Sequence, residues 1–457
     1  MAISTQKAIF SPGARLTCLM LLGAAPVHEA VFAQTTGGTA ASAATVTTQS
    51  STSSTSSGSA MEGASGGGLT VRPSAAVPLP NPNLAANAAF PDRRGFYRAE
   101  PFFIYPWAGL GLGYNSNLNG VRDNPISSSL AVVAARVLGE MKYRAGTLGL
   151  SYSGNYGRYF ESSVDNFNDH ELVARLRNQF TARADLDGAV YWMSKQDPRG
   201  LQTRPFSDSP DKWRSFGGYL TAGYGAQSAQ GRFEVDLGFS NKEYTNNREF
   251  TQQLDVASVN LAGRFLYRVA PRTRVLVELR DTEYNYLWSQ SRLDNSEQRI
   301  LMGATWDATA ALSGTVKAGW MFKDFKDPTQ KDFSGLSLEA NGRWAPYTYS
   351  FYDLAARYGA MDTSGSGTYT VDTGLAAAWT HKWQSFFQTR ATLAYLHQDY
   401  RGIDRIDNIL SVSFGAYYDL RSWLRAGVDA SYLTRSSTDP SVEYGRTLLM
   451  FTLGGTL

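Results

Sequence analysis

The sequence predicts an all-β protein, a transmembrane up-and-down antiparallel β-barrel of about 18 strands, with about 16 as the alternative count. Three observations predict this fold. From about residue 96 onward, segments such as "RFEVDLGFS" (232–240) alternate apolar and polar residues with period two. Short and long connections alternate between these segments. The chain has no run of about 18 or more apolar residues, so a transmembrane helix is not predicted.

Residues 1–33 have the pattern of a cleaved signal peptide. Lys7 and Arg15 supply basic residues, "LTCLMLLGAA" (16–25) is the apolar region, and "VFA" (31–33) places small residues before a cut after Ala33. Cys18 is the only cysteine of the chain and would leave with this segment. The exported protein is therefore predicted to lack disulfides and thiol metal ligands.

Residues 34–95 are predicted to form a disordered periplasmic tail. The stretch "TTQSSTSSTSSGSAMEGASGGG" (47–68) consists almost wholly of small and polar residues, and "PSAAVPLPNPN" (73–83) adds prolines. Such sequences bury too little apolar surface to offset the entropy lost on ordering.

Residues 96–457 are predicted to form the barrel. Its apolar side chains would face lipid and its polar side chains the lumen, the reverse of a soluble sandwich. Short turns are expected near 142–145, 185–188 ("DLDG"), 226–231, 269–273, 311–314, 345–349, 381–385 and 419–422. Longer polar loops lie between them. This asymmetry places both termini on the periplasmic side, and aromatic clusters near strand ends suggest interfacial girdles.

The end of the chain, "TLLMFTLGGTL" (447–457), is predicted to be the closing strand. Its apolar residues Leu449, Phe451, Leu453 and Leu457 share one parity. Pairing with "IYPWAGLGLGYN" (104–115) would leave the sheet without a free edge.

The opening stretch "YRAEPFFIYPWAGLGLGYNSNLNG" (97–120), together with the later "DNFND" (165–169) and the paired long strands, resembles the putative β-barrel porin 2 family of Gram-negative outer-membrane proteins. The resemblance covers residues 96–457. It implies a cell outer-membrane location and, because members often accompany exopolysaccharide loci, a role in glycan export. Expected partners are outer-membrane lipid, the barrel assembly machinery and polysaccharide export proteins.

Charged residues on the polar parity are predicted to line an aqueous lumen and to set its selectivity. Bases outnumber acids among them, which favours anions or an acidic polysaccharide. The alternative is that these charges merely pair across strands. The predicted lumen charges are Arg175, Arg177, Arg232, Glu234, Asp236, Arg264, Arg268, Arg274, Glu278, Arg280, Lys317, Lys323, Glu339, Arg343, Arg390, Arg425 and Asp429.

The longest loop, "DPRGLQTRPFSDSPDKW" (197–213), carries three prolines. It has two interpretations: a loop that folds inward and narrows the pore, or a surface loop. The surface loop is the favoured interpretation.

An alternative function is a rim enzyme of the lipid-hydrolase type, or an adhesin, anchored by the barrel. The only histidines beyond residue 33 are His170, His381 and His397, and no serine partner or metal-ligand spacing accompanies them. The protein is therefore predicted not to be an enzyme and to need no cofactor or metal. A net charge of +3 without a Lys/Arg block predicts no nucleic-acid partner.

Overall fold

The computed structural model describes residues 97–200, 207–226, 228–309, 311–363 and 365–456. The predicted signal peptide (1–33), the predicted tail (34–95) and Leu457 of the closing strand lie outside the described residues. Among the described residues, no helix is long and apolar enough to cross a membrane.

The described chain forms one sheet of nineteen strands, in which the short β1 pairs with β2 and the other eighteen close into an antiparallel barrel. The strands are β1 (Tyr97–Ala99), β2 (Phe102–Asn115), β3 (Ser128–Tyr143), β4 (Gly146–Tyr159), β5 (Phe167–Gln179), β6 (Ala184–Asp197), β7 (Asp211–Tyr224), β8 (Gly231–Tyr244), β9 (Val256–Ala270), β10 (Thr273–Tyr286), β11 (Asn295–Thr309), β12 (Leu312–Phe325), β13 (Phe333–Tyr347), β14 (Ser350–Asp362), β15 (Tyr369–Gln384), β16 (Phe387–Arg401), β17 (Ile406–Arg421), β18 (Leu424–Ser437) and β19 (Tyr444–Thr456). This confirms the predicted fold class and the higher strand count.

Helical structure in the described residues is confined to the long loops. It comprises the α-helix α1 (Arg248–Thr251) and the 3₁₀ turns Ser163–Asp165, Gln252–Leu254 and Pro440–Val442. The strand hairpins thus supply the scaffold, and the helical pieces lie at one mouth of the barrel.

Burial along the strands is inverted relative to a water-soluble protein. In β8, Arg232 and Glu234 are each 1% exposed, whereas their neighbours Phe233 and Val235 are 59% and 44% exposed. Consecutive side chains of a strand point to opposite faces of the sheet. The charged face is therefore enclosed by the barrel, and the apolar face forms its outer surface. Such a surface is stable in contact with lipid rather than water.

The connections alternate in length as predicted, but the turn predicted at 185–188 is wrong. The chain turns at 180–183, where the Thr181 hydroxyl accepts hydrogen bonds from the amides of Arg183 and Ala184 at 3.1 and 3.0 Å. Asp185 and Asp187 lie inside β6, where Asp187 binds Arg175 of β5 and Asp185 binds Arg232 of β8. Aspartate and glycine favour turns, yet here the two carboxylates are used as strand residues that neutralise lumen charges.

Exposed aromatic side chains collect at the short-turn end of the barrel. Aromatic side chains are enriched at the level of the lipid headgroups in transmembrane barrels, and this position fits that pattern. These side chains are Tyr143, Phe180, Tyr224, Tyr267, Trp344, Tyr347, Tyr349, Trp383, Phe386, Tyr418 and Trp423.

The outer ends of β14 and β15 turn inward from the barrel wall. Pairing of β14 with β13 stops at Tyr358, opposite Leu338, and the next residue, Gly359, has a φ of +155°. Glycine tolerates this backbone conformation without a Cβ clash. Beyond it, Tyr369 stacks on Phe325 of β12 with ring centroids 5.8 Å apart. The tip of this hairpin therefore packs against the inner side of β12.

The barrel closes where β19 meets β2. Leu449, Phe451 and Leu453 lie opposite Tyr114, Leu112 and Leu110 on the outer face. On the inner face, a Cβ placed on Gly113 would lie 2.1 Å from the Met450 sulfur, so the glycine leaves room for that side chain. The described part of the predicted closing strand thus forms the seam.

Candidate functional site

Every predicted lumen charge lies on the inward-facing parity of its strand, opposite the exposed apolar side chains. Two groups account for all of them except Asp429. One group forms a connected network across β8 to β14, and the other forms a ring near the short turns. Asp429 stands apart and accepts a short hydrogen bond from the Tyr417 hydroxyl.

The network, called here the ion-pair ladder, climbs the inner wall from the short-turn end of β8 to the long-loop end of β14. It alternates basic and acidic side chains. Its members are Arg232, Glu234, Asp236, Arg264, Glu278, Arg280, Glu297, Arg299, Lys317, Lys323, Glu339 and Asp362.

The lower half of the ladder is organised by Arg264. Its guanidinium donates to Glu234 and Glu278, each at 2.8 Å, and also contacts Asp236. Glu234 in turn accepts from Arg232 at 2.8 Å. Charge-assisted bonds of this kind offset the cost of removing the charges from water.

The upper half is organised by Glu339. Its carboxylate accepts from Arg280 at 2.8 Å, from Arg299 at 3.0 Å and from Lys317 at 2.7 Å. Glu297 then joins Arg299 at 2.7 Å to Lys323 at 3.6 Å. Lys323 lies 3.0 Å from Asp362 on the inward-turned hairpin. The ladder therefore ties this hairpin to the wall electrostatically.

Sequence reasoning missed three members of the ladder: Glu297, Arg299 and Asp362. The first two stand on the same parity of β11 in "NSEQRI" (295–300), where the period-two pattern could have found them. Asp362 could not be found this way, because its strand end leaves the wall. With these residues included, each base of the ladder contacts an acid, so the ladder is not the source of a cationic lumen.

The second group, called here the arginine ring, lies within four residues of the short-turn ends of its strands. It comprises Arg175, Arg177, Arg268, Arg274, Arg343, Arg390 and Arg425. Arg175 and Arg177 share the carboxylate of Asp187, at 2.7 and 3.2 Å. Arg343 pairs with Asp353 and Arg425 with Asp419, at 2.6 and 2.5 Å.

Two members of the ring carry uncompensated charge. Within the described residues, neither Arg268 nor Arg390 has a carboxylate at ion-pair distance, and Arg390 is exposed. Arg177 is also half exposed and only shares its acid. Positive charge therefore accumulates at the short-turn mouth, whereas the ladder beyond it is balanced.

The start of the 197–213 loop folds inward, so the favoured surface-loop interpretation is wrong for its described residues. Asp197 accepts from the Trp213 indole at 2.7 Å and lies near Lys242. Arg199 is 3% exposed and pairs with Asp165 of the β4–β5 loop. A buried charged group needs a partner of opposite charge, and the partner of this arginine, Asp165, lies on the inner side of the mouth.

The loop also contacts the far side of the seam. The carbonyl of Arg199 accepts from Arg446 of β19 at 2.6 Å, and that of Gly200 accepts from Arg435 of β18 at 3.2 Å. Gly200 and Gly120 approach so closely that a Cβ on Gly120 would lie 2.5 Å from the Cα of Gly200. The described loop therefore spans part of the long-loop mouth.

The three histidines point away from the lumen. His170 bonds the Tyr152 hydroxyl at 2.8 Å, and His397 bonds Asn408 at 2.9 Å. His381 packs against Trp383, one of the exposed aromatic side chains at the short-turn end, with ring centroids 4.2 Å apart. Among the described residues, no group of three or more His, Cys, Asp or Glu could hold a metal ion.

Two carboxylates in the long loops have lowered pKa values. Hydrogen bonds from the hydroxyl and amide of Ser441 lower the pKa of Asp439, and those from Thr329 lower the pKa of Asp327. Both carboxylates fix their loops by accepting from the residue two positions on.

A sequence model of the family described as Putative beta-barrel porin 2 matches residues 95–455. No curated protein matches the chain. Among solved structures, the outer membrane protein opdK from Pseudomonas aeruginosa is 11% identical, with a TM-score of 0.46 over 77% of this chain and 99% of that one. A BenF-like porin from Pseudomonas fluorescens Pf-5 is 9% identical, with a TM-score of 0.45 over 78% and 99%. OccK2 (OpdF) from Pseudomonas aeruginosa is 12% identical, with a TM-score of 0.44 over 79% and 100%.

Proposed function

The chain belongs to the putative beta-barrel porin 2 family and is a porin-like β-barrel of the Gram-negative outer membrane, and from this we propose that it conducts anions that enter from the periplasm. The cargo we propose is an acidic exopolysaccharide on its way out of the cell. Small organic anions are the alternative cargo.

The observation that carries the proposal is the arginine ring. Uncompensated Arg268 and Arg390 stand at the short-turn mouth, which is the periplasmic mouth of such barrels. At physiological salt the field of a charge extends only about 8 Å, so a ring confined to one mouth acts on ions at that mouth. A periplasmic anion is therefore drawn in, and the balanced ladder above offers it no deep trap.

The balanced charges of the ladder also favour passage of an anion. Conduction requires sites that bind a solute weakly enough to release it. Each base of the ladder, such as Arg264, is already engaged by acids at 2.8 Å. A passing anion therefore meets side chains whose charges are already matched, rather than a bare, strongly binding cation.

The choice of a saccharide cargo rests on the family resemblance to proteins of exopolysaccharide loci. Guanidinium groups at both mouths suit the anionic groups of such a polymer. The arginine ring lies at the short-turn mouth, and Arg405 and Arg446 lie over the rings of Tyr400 and Tyr444 at the long-loop mouth.

Ion selectivity in planar bilayers tests the proposal. Under a KCl gradient, the wild-type reversal potential should indicate anion preference, and Arg390→Glu or Arg268→Glu should shift it toward cations. Arg272→Glu, an exposed arginine in the β9–β10 turn that is not a member of the ring, is the control for charge reversal in a short turn. Absence of conductance, or an unchanged reversal potential in both lumen variants, would refute the proposal.

Blocking by added solutes identifies the cargo class. An oligouronate added on the periplasmic side should interrupt the current, whereas a neutral dextran oligomer of the same length should not. If gluconate alone blocks and the oligouronate does not, small anions are the cargo.

A further inference from the structure

Four buried arginines gather at the long-loop mouth, on the side of the seam. Arg199, Arg405 and Arg435 are each 3% exposed and Arg446 is 5% exposed. They are called here the exit cluster. They come from the β6–β7 loop, the β16–β17 loop, β18 and β19. Burying several cations together is costly unless each is matched by anionic or polar acceptors.

Two carboxylates serve this cluster among the described residues. Asp165 pairs with Arg199, and Asp407 accepts from both Arg405 and Arg435 at 2.6 Å. No carboxylate lies at ion-pair distance from Arg446 in the described part of the chain. The cluster therefore contains more guanidinium groups than the carboxylates that bind them.

Main-chain carbonyls complete the coordination of the two strand arginines. Arg446 donates to the carbonyls of Asn117 and Arg199, both at 2.6 Å, and Arg435 donates to that of Gly200 at 3.2 Å. Carbonyl oxygens bear only partial negative charge. They occupy the positions that carboxylate oxygens would fill more favourably, since charge-assisted bonds are about twice as strong as neutral ones.

These carbonyls belong to two loops, and only the loops would have to move. Asn117 lies in the β2–β3 loop, and Arg199 and Gly200 begin the β6–β7 loop. The two loops touch at Gly120 and Gly200, with φ values of +63° and +82°. Arg435 and Arg446 stand on strands and would stay in place, whereas the carbonyls that they bind belong to loops.

We propose that Arg435 and Arg446, the strand members of the exit cluster, form a second anion-binding site, which takes the carboxylate groups of an acidic saccharide as it leaves the lumen. In the resting channel the loop carbonyls fill the site; the cargo replaces them and moves the loops aside. The Arg446 guanidinium lies over the Tyr444 ring, 5.2 Å from its centroid, and this contact holds the arginine in place at the site. This inference rests on the proposed anion pathway and extends it to the outer mouth.

A two-variant cycle in planar bilayers tests the site. Asp165→Ala removes the acid that holds Arg199 and should free the loop, raising conductance. In that background, Arg446→Gln should shorten oligouronate blocks about tenfold, while blocks by a neutral dextran oligomer stay as brief as before. Arg122→Gln, an exposed loop arginine, is the control for charge loss at this mouth.

The outcomes separate a binding role from a structural one. If Arg446 only holds the loop, Arg446→Gln will leave oligouronate blocks unchanged in the freed background. An equal effect on blocks by gluconate would overturn the saccharide assignment. If Asp165→Ala does not fold, as judged by heat-modifiable migration, Gly120→Ala frees the same loop by steric clash.

Failure of this inference is distinguishable from failure of the anion pathway. Arg390→Glu reports only on the short-turn mouth. A shifted reversal potential in Arg390→Glu, together with unaltered blocks in the Arg446 variant, would reject the exit cluster and leave the pathway standing.

Discussion

The ammonium of Lys317 lies 2.7 Å from the carboxylate of Glu339, and both side chains are enclosed by the barrel. Because Glu339 also binds Arg280 and Arg299, it is the acid on which the upper ladder depends. Removing one partner of a buried ion pair leaves an uncompensated charge.

Glu339→Gln should therefore destabilise the barrel by about 3–5 kcal/mol, measured as the free energy of unfolding in urea in the presence of lipid. Glu161→Gln, an exposed loop position, is the matched control and should change stability by less than about 0.5 kcal/mol. A loss in Glu339→Gln no larger than in the control would show that the ladder is not structural.

The seam should be sensitive to one methyl group. A Cβ at Gly113 would lie 2.1 Å from the Met450 sulfur and 2.6 Å from the carbonyl oxygen of Leu449. Since the second contact is with backbone, Gly113→Ala should cost about 1–3 kcal/mol. The folded fraction, read from heat-modifiable migration, should fall.

Gly263→Ala is the control for this change, because a Cβ at that strand position meets nothing within 4 Å. Met450→Ala should rescue Gly113→Ala only in part, since the clash with the carbonyl remains. Full folding of Gly113→Ala without rescue would contradict the described register of the seam.

The orientation of the barrel can be checked with introduced cysteines. Cys18 is the only natural cysteine and lies in the predicted signal peptide. Asp327→Cys, in a long loop, should react with a membrane-impermeant maleimide on intact cells, whereas Ser385→Cys, in a short turn, should react only after the outer membrane is permeabilised. The reverse pattern would place the arginine ring at the outer mouth and refute entry from the periplasm.

The turn at 440–442 should respond to acid. Hydrogen bonds from Ser441 lower the pKa of Asp439, so the ionised form is favoured in the folded loop. The stabilisation is present above the unfolded-state pKa of about 3.9 and is lost as pH falls through the lowered folded-state pKa. Hydrogen exchange of the Ser441 amide, corrected for intrinsic rates, should accelerate across that window.

Asp439→Asn keeps an acceptor at this position but cannot ionise, so its Ser441 exchange should lose the pH dependence. An Asp439→Asn profile that still follows the wild type would assign the effect to another group.

The sequence predicted which way side chains face much better than which side chains meet. Period-two alternation suffices to point Arg232 and Glu234 inward. It cannot show that Arg280 meets Glu339, because those residues are 59 positions apart and come together only through strand register. The bases outnumber their acids in the ring, whereas the ladder contains six bases and six acids.

Loops were predicted least well, for a related reason. Composition marks "DPRGLQTRPF" as a long connection, but the direction of its described residues, 197–200, depends on contacts with Arg435 and Arg446, which follow them by more than two hundred residues. No pattern within the loop's own sequence identifies these two arginines as its partners. The misplaced turn at "DLDG" has the same cause, since Asp187 is fixed by Arg175 rather than by its neighbours.

The antiparallel pairing of β19 with β2 has a consequence for how such a protein can change size. A ring in which every neighbour runs in the opposite direction must contain an even number of members. Loss or duplication of a single strand would leave two parallel neighbours at the join and send one chain end to the opposite mouth. As long as every pair stays antiparallel, the diameter can therefore change only in steps of one whole hairpin.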